Sequence, residues 1–400
     1  MDYEMPSLSE PFTWISYAIL GSLVGLAQAG GIGGGPIVSP VMMVLLGCSS
    51  KQAIWNTYIM LFGGSIGNFA RLGREKIQDG SSPLINYQLV QITLPLLLAG
   101  AILGVASGKW LPKLVIVIFL FAILLNVFLK TKNVYKKVRE KERNDLLIQV
   151  EMKEININDQ NILPQNLQQL KDNESKLYPT ENLKEIALSV FIVVALTLLK
   201  GAATIPSILG IGYCGYGYHF INFIIFGVGF YNVQRYRQQI KKDEVLKESI
   251  GYDFSGGKIS EVYDITVKSS MKAGFLGGLV GLGGGVVLTP VWLETGINPA
   301  RAAASATFTV MFTSFISVFI IALSGGYQLS QFLILASVSG CGSYLVAGIL
   351  KKLVKKYKRE SIIIQVLLVV IAFGLVVLPL QSIKDVYYNP ISSIQFGRLC

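Results

Sequence analysis

The stretches GGIGGGPIVSP, residues 30–40, and GLGGGVVLTP, residues 281–290, decide how this chain is read. The first, from Gly31 to Pro40, superposes on the second at a constant offset. After a one-residue slip, Gly47 matches Gly296 and Ala53 matches Ala302. The apolar run after the first cluster, 36–46, and both runs around the second, 273–282 and 286–292, are too short to cross a bilayer, which takes about 20 helical residues. Each cluster therefore joins two part-helices, as a hairpin or a broken helix. Each copy then continues into an apolar helix carrying small polar residues, Asn56 and Thr57 in the first and Ser305 and Thr307 in the second. Gly/Pro-interrupted apolar segments at corresponding places in two halves point to the binding site of a membrane carrier.

Composition agrees with a bilayer. The 400 residues are 52% apolar and only 15% charged, against about 25% charge in soluble domains. Mean hydropathy is +0.53. This rules out a soluble enzyme. The net charge of +11 is gathered between apolar runs, with 10 of the 35 basic residues in 131–184, 7 in 233–268 and 6 in 351–360. Cytoplasmic loops look like this under the positive-inside rule, whereas a nucleic-acid surface would spread its basic residues over a fold. No nucleic-acid partner is expected.

Outward from the two clusters, the chain divides into five apolar segments, two intervening ones and five more. The expected fold is an all-α polytopic membrane protein of two inverted repeats, each a Gly-rich broken helix or hairpin followed by three transmembrane helices, plus two intervening helices. The expected divisions are an acidic tail (1–11), a first repeat (12–130), a polar cytoplasmic linker (131–184) and the two intervening helices (185–233). A cytoplasmic loop (234–268), a second repeat (269–380) and a C-terminal tail (381–400) follow. The linker is rich in Asn, Gln, Lys and Glu and poor in aromatics, so it reads as partly disordered. The acidic amino end lacks the basic segment of a secretory signal, so the first apolar run reads as a retained span. With the basic loops and Arg71, Arg74 and Lys76 inside, both termini fall outside and the repeats are inverted. Lys109 and Lys113, on the outer side, count against this assignment.

The glycine clusters carry two compatible readings. In one they permit close helix packing, most clearly where Gly277, Gly281 and Gly285 recur every four residues. In the other, Gly31, Gly33, Gly34 and Gly35 and their counterparts Gly281, Gly283, Gly284 and Gly285 break the helix and turn free N–H groups, at the positive end of a half-helix, toward an anion. Pro36 suits the first turn of a new helix, and Pro40 and Pro290 are further helix-breaking positions. A dinucleotide fingerprint is excluded, because no strand or acidic partner accompanies the glycines.

Charge within the apolar segments is scarce. Glu294 is the one acidic residue well inside them, and Arg301 opens the next helix. The two read either as a coupling pair, Glu294 taking a proton, or as an interfacial ion pair. Lys51 and Lys200, near segment ends, read as interfacial. GGSIG, 63–67, has the form of a nucleophile elbow, but Ser65 lies in a Gly-rich membrane helix without the strand-to-helix turn that hydrolysis needs. His219, the only histidine, reads as a polar residue satisfied between helices. Cys48, Cys214, Cys341 and Cys400 show no paired spacing and read as unpaired thiols, with neither a metal nor a disulfide framework indicated. No cofactor is expected, and no Walker A motif offers ATP drive.

GLVGLGGGVVLTPVWLETGINPARAAASATFTV, 278–310, and GGIGGGPIVSPVMMVLLGCSSKQA, 30–53, resemble the paired signatures of the sulfite exporter TauE/SafE family, and LLKG, 198–201, with the long linker resembles its eukaryotic members. The resemblance covers both repeats. It implies a multi-pass carrier moving sulfite or small organosulfonate anions across the plasma membrane or an endomembrane. The partners are then a small inorganic or organosulfur anion and the lipid bilayer, and a homo-oligomer is compatible with it. Because the first copy has Asn56 and Thr57 where the second runs ASATFT, the half-sites are chemically unequal. A passive anion channel and a non-transporting scaffold or receptor are the competing functions.

Overall fold

The computed structural model describes residues 11–48, 50–77, 82–151, 176–202, 204–249, 258–325, 328–357, 359–388 and 396. The tail 1–10, linker residues 152–175 and most of 389–400 lie outside them. Among the described residues the chain is helical, with a single isolated bridge between Lys76 and Pro83. The first half runs α1 (Pro11–Ala29), α2 (Gly35–Leu46), α3 (Ser50–Leu72), α4 (Tyr87–Trp110) and α5 (Lys113–Glu151). Two helices intervene, α6 (Thr180–Lys200) and α7 (Tyr216–Ser249). The second half repeats the order as α8 (Ile259–Val280), α9 (Gly285–Glu294), α10 (Pro299–Ala322), α11 (Leu329–Tyr357) and α12 (Ser361–Tyr388). Six helices, α1, α4, α5, α6, α10 and α11, contain stretches long and apolar enough to cross a membrane. Large apolar side chains such as Phe12, Ile118, Phe119, Phe191 and Phe223 face outward, as lipid contact requires and water does not favour.

The packing exchanges the halves. α1 lies along α11 and α8 along α4. α3 also packs on α11 and α10 on α4, and α2 meets α12 as α9 meets α5. α3 and α10 pair with one another, as do α5 and α12. The intervening α6 and α7 both pack on α4 and have no counterpart on the other side.

Small residues set the seams, but not where the four-residue glycine spacing suggests. Gly281 caps α8 and Gly285 opens α9, so the series Gly277, Gly281, Gly285 does not form one helix face. The close approach is instead made by Gly274 and Gly278, where an added Cβ would fall on the carbonyl oxygens of Leu97 and Ala101 of α4. On the exchanged pair, Gly21 and Gly25 of α1 meet the carbonyls of Val338 and Gly342 of α11. Gly63 and Gly67 flank buried Ser65 and rest on the backbone of Ala336 and Gly340. The elbow-like motif is therefore a packing seam.

Three expectations change. The helix that begins in the apolar run 114–129 does not stop at the linker boundary but continues to Glu151. Lys200 does not reach to an interface: it is buried, its Nζ donating to Asn222 Oδ1 at 2.7 Å and lying 4.7 Å from the Tyr218 ring centre. Cys48 and Cys341 are not in disulfides, but Cys214 is disulfide-bonded. Beyond the apolar part of α7, Arg235 and Tyr236 grip Glu185 of α6, and burial pushes the Tyr236 hydroxyl up to about 12.

Candidate functional site

The two glycine breaks cross at the centre of the bundle. Gly31, Gly33 and Gly34 have φ of 80°, 93° and 106°, and Gly281, Gly283 and Gly284 have 75°, 74° and 76°. This left-handed backbone is open to glycine and costly for other residues. It lets α2 and α9 leave their preceding helices within a few residues, with Pro36 in the first turn of α2 and Pro40 and Pro290 buried inside the short helices.

Contact between the breaks is reciprocal. A Cβ on Gly35 would fall on the Gly281 carbonyl oxygen, and one on Gly285 would fall on that of Gly31. A hydroxyl from the following long helix reaches each break from the opposite half. Thr307 Oγ1 donates to the Gln28 carbonyl at 2.6 Å, and Tyr58 Oη donates to the Gly278 carbonyl at 2.6 Å. Thr289 Oγ1 adds a bond to the Gly31 carbonyl at 2.7 Å, and Thr313 Oγ1 one to Gly283 at 3.1 Å. Residues 30–40 and 281–286 are buried, so the crossing is closed.

The ends that meet there are not electrically equivalent. Among the carbonyls closing α1 and α8, those of Gln28 and Gly278 accept hydroxyls, and turns serve others: Gly31 N to Gln28 O, Ile32 N to Ala27 O and Gly281 N to Gly277 O. The starts of α2 and α9 have glycine N-caps, Gly34 and Gly284, with no side-chain acceptor. The N–H groups of Gly33, Gly34 and Gly35, and of Gly283, Gly284 and Gly285, donate to no acceptor among the described residues. Each helix start carries roughly half a positive charge. The crossing thus presents uncompensated donors.

The structure separates the four small polar residues on α3 and α10. Thr57 and Thr307 reach the breaks, Thr57 with its methyl 3.7 Å from the Cβ position of Gly281. Asn56 and Ser305 turn elsewhere: Asn56 Oδ1 accepts from Gln331 Nε2 at 2.7 Å, and Ser305 accepts the Asn86 N–H at 2.8 Å. Glu294, the last residue of α9, is bonded to Lys130 of α5 at 3.3 Å with its side chain 29% exposed. The Lys51 side chain lies outside the described residues, and His219 stacks edge-on against Tyr218.

Besides Tyr58, Thr289 and Thr313, Gln28 and Asn68 escape the sequence reading. Gln28, fully buried three residues before the first break, donates to the Leu61 carbonyl at 2.9 Å and to Ser65 Oγ at 3.0 Å, and accepts from Ser343 at 3.3 Å. Asn68 lies three and seven residues beyond Ser65 and Leu61 on the same side of α3. It is 1% exposed, and neither its Oδ1 nor its Nδ2 has a partner among the described residues. Such an amide is costly unless something else occupies it.

A family model described as Sulfite exporter TauE/SafE matches residues 4–150 and 267–394, which hold both breaks and both sets of flanking helices. The chain belongs to the TauE/SafE family. It is an integral multi-pass membrane protein of a transporter family, not an enzyme. Sulfite exporter TauE/SafE family proteins 2 and 1 of Arabidopsis thaliana are each 26% identical over 93% of this chain and over 83% and 84% of their own lengths. Family protein 3 of the same plant is 26% identical over 89% of this chain and 76% of its own. No solved structure matches the chain. The segment between the two matched stretches contains α6 and α7, the helices without a counterpart.

Proposed function

We propose that the protein is a secondary carrier that exports sulfite or a related small sulfur oxyanion, held at the crossing of the two glycine breaks. The observation that carries this reading is the imbalance at the crossing: the Gln28, Gly31, Gly278 and Gly283 carbonyls accept hydroxyls, while among the described residues the N–H ends of α2 and α9 have no acceptor. A cation site would need the reverse. The sulfur oxyanion is taken from the names of the plant relatives, and its acceptor-only oxygens match a ring of donors.

The exchange of packing partners supports two repeats that move against one another, inverted across the membrane as the loop charges require. In that topology both termini and the Cys214 loop lie outside, where a disulfide persists. The crossing is closed, which suits a carrier that opens to one side at a time better than a continuous pore. Asn68 lies on the inner route to it and offers a first polar contact to the anion.

Glu294 does not serve as a proton carrier in this mechanism, because it is a partly exposed member of an ion pair. The membrane potential then drives export of the anion. The test is flux of labelled sulfite, sulfate, thiosulfate and taurine by purified protein in liposomes, with the potential clamped. Saturable sulfite flux that responds to the potential is expected. Large unitary currents would make the protein a channel, and flux of none of the four would make it a scaffold.

A further inference from the structure

α5 outruns its apolar portion, and the overrun is cationic. Lys132, Lys136, Arg139 and Arg143 follow one another at intervals of four, three and four residues, which keeps them on one side of the helix. With Arg359, from the turn between α11 and α12, they line an open recess of about 520 Å³. Five cations there face two carboxylates, those of Glu140 and Glu142.

Glu142 is already committed. Its carboxylate accepts from the backbone N–H of Ser361 at 2.8 Å and from the Ser361 hydroxyl at 2.6 Å, tying the overrun to the start of α12. This bond fixes the recess as a built feature and removes one carboxylate from charge compensation. Arg139 is steadied by Tyr135, with Nη1 3.3 Å from its hydroxyl and the guanidinium 5.9 Å from its ring centre. Among the described residues, Lys132, Lys136, Arg143 and Arg359 enter no ion pair. Like charges one turn apart repel, so a run of this kind held around one concavity suits a polyanion.

Position narrows its chemistry. Lys130, two residues before the first lining cation, pairs with Glu294 at the end of the short helix α9. The recess therefore opens where α5 leaves the apolar layer, at the depth of lipid headgroups. Its volume is in the range of small-molecule sites, and five cations exceed what a single phosphate or sulfate needs. We propose that this recess binds a compact polyol bearing several phosphate groups, either as the headgroup of an anionic phospholipid or free in solution. The site is separate from the glycine crossing and does not depend on which anion is carried.

The test uses the full chain, purified into phosphatidylcholine nanodiscs, with displacement of a fluorescent inositol-phosphate headgroup as readout. One arm adds phosphatidylinositol bisphosphate to the disc, a second adds phosphatidylserine at equal total charge, and a third adds soluble inositol hexakisphosphate. Saturable displacement is expected with the bisphosphate lipid, the soluble polyphosphate or both, and phosphatidylserine should fail. Displacement by the lipid alone assigns a membrane source, and displacement by the soluble compound assigns a free one. K132Q/K136Q/R143Q should weaken binding about tenfold or more. Arg359→Gln, which leaves α5 intact, should weaken it several-fold and decides the matter if the triple variant does not fold. K352Q/K355Q/K356Q on α11 removes as much charge and should change binding less than about twofold. Equal loss in the α11 variant, equal binding of phosphatidylserine or absence of saturable binding would each overturn the proposal.

Discussion

The first and second glycine breaks share a backbone and differ in what surrounds it. Both have left-handed glycines at corresponding places, a short proline-containing helix behind them and a hydroxyl delivered from the opposite half. Around the first, Gln28 ties α1 to α3 and α11, and Asn68 waits one to two turns further along α3. Around the second, the place of Gln28 is taken by Gly278, pressed against the Ala101 carbonyl, and the place of Asn68 by Ser317, which bonds back to Thr313 at 2.9 Å. The repeat preserved the geometry that exposes N–H groups and let the side-chain chemistry diverge. One half is built for closure against α4, while the other holds a buried amide beside its break.

The comparison can be broken most severely at its shared part. Gly35→Ala and Gly285→Ala should both prevent recovery of monodisperse protein, because each new Cβ overlaps a carbonyl of the opposite break. Normal yield of either variant would show that the breaks do not cross as described. The next largest effect should be confined to the first break. Gln28→Leu leaves the Ser65 hydroxyl and the Leu61 carbonyl without their partner, and thermal unfolding should register a loss of about 1–3 kcal/mol. No equivalent experiment exists at Gly278, where a longer side chain has no room.

Asn68 sharpens the contrast in the opposite direction. An unpartnered buried amide burdens the empty protein, so Asn68→Leu should leave stability unchanged or raise it by about 1 kcal/mol while sulfite flux drops. A clear loss of stability with flux per folded molecule intact would assign Asn68 to packing. The smallest effect belongs to Glu294. Glu294→Gln removes one partly exposed ion pair worth about 0–1 kcal/mol, and the pH profile of transport in liposomes should keep its shape. A profile that flattens would restore a proton to the mechanism.

The breaks could be read from sequence because glycine and proline act on the backbone locally, and a repeated punctuation mark survives divergence of its neighbours. The side chains around them could not. Thr57 and Asn56 are adjacent, yet a helix turns about 100° per residue, so one faces the break and the other faces Gln331. The one-residue slip sets Thr307 opposite Tyr58, and the two make the same hydroxyl-to-carbonyl bond, but a tyrosine and a threonine do not announce themselves as counterparts by residue type. Gln28 carries no signal in the sequence because its partners lie 33, 37 and 315 positions away. The overrun of α5 read as linker from its polarity. It is helical because Lys, Arg and Glu are good helix formers and because Glu142 anchors it to Ser361, a contact across 219 residues. Nearness in the chain could not reveal that Lys130 reaches Glu294 from another helix.

The central claim is that the glycine crossing binds the transported anion and is more than a packing seam. Gly34→Ala and Gly284→Ala test it most directly, because both positions have left-handed φ but their nearest neighbours stand 3.3 and 3.2 Å from an added Cβ. The strain costs about 1–2 kcal/mol at each, which distorts the N–H groups without forcing the breaks apart. Labelled sulfite flux in liposomes, divided by the amount of folded protein, should fall at least about tenfold in each variant, as expected when a donor to an anion is misdirected. Flux that declines only in proportion to folded protein would contradict the account and leave close packing as the whole role of the glycines.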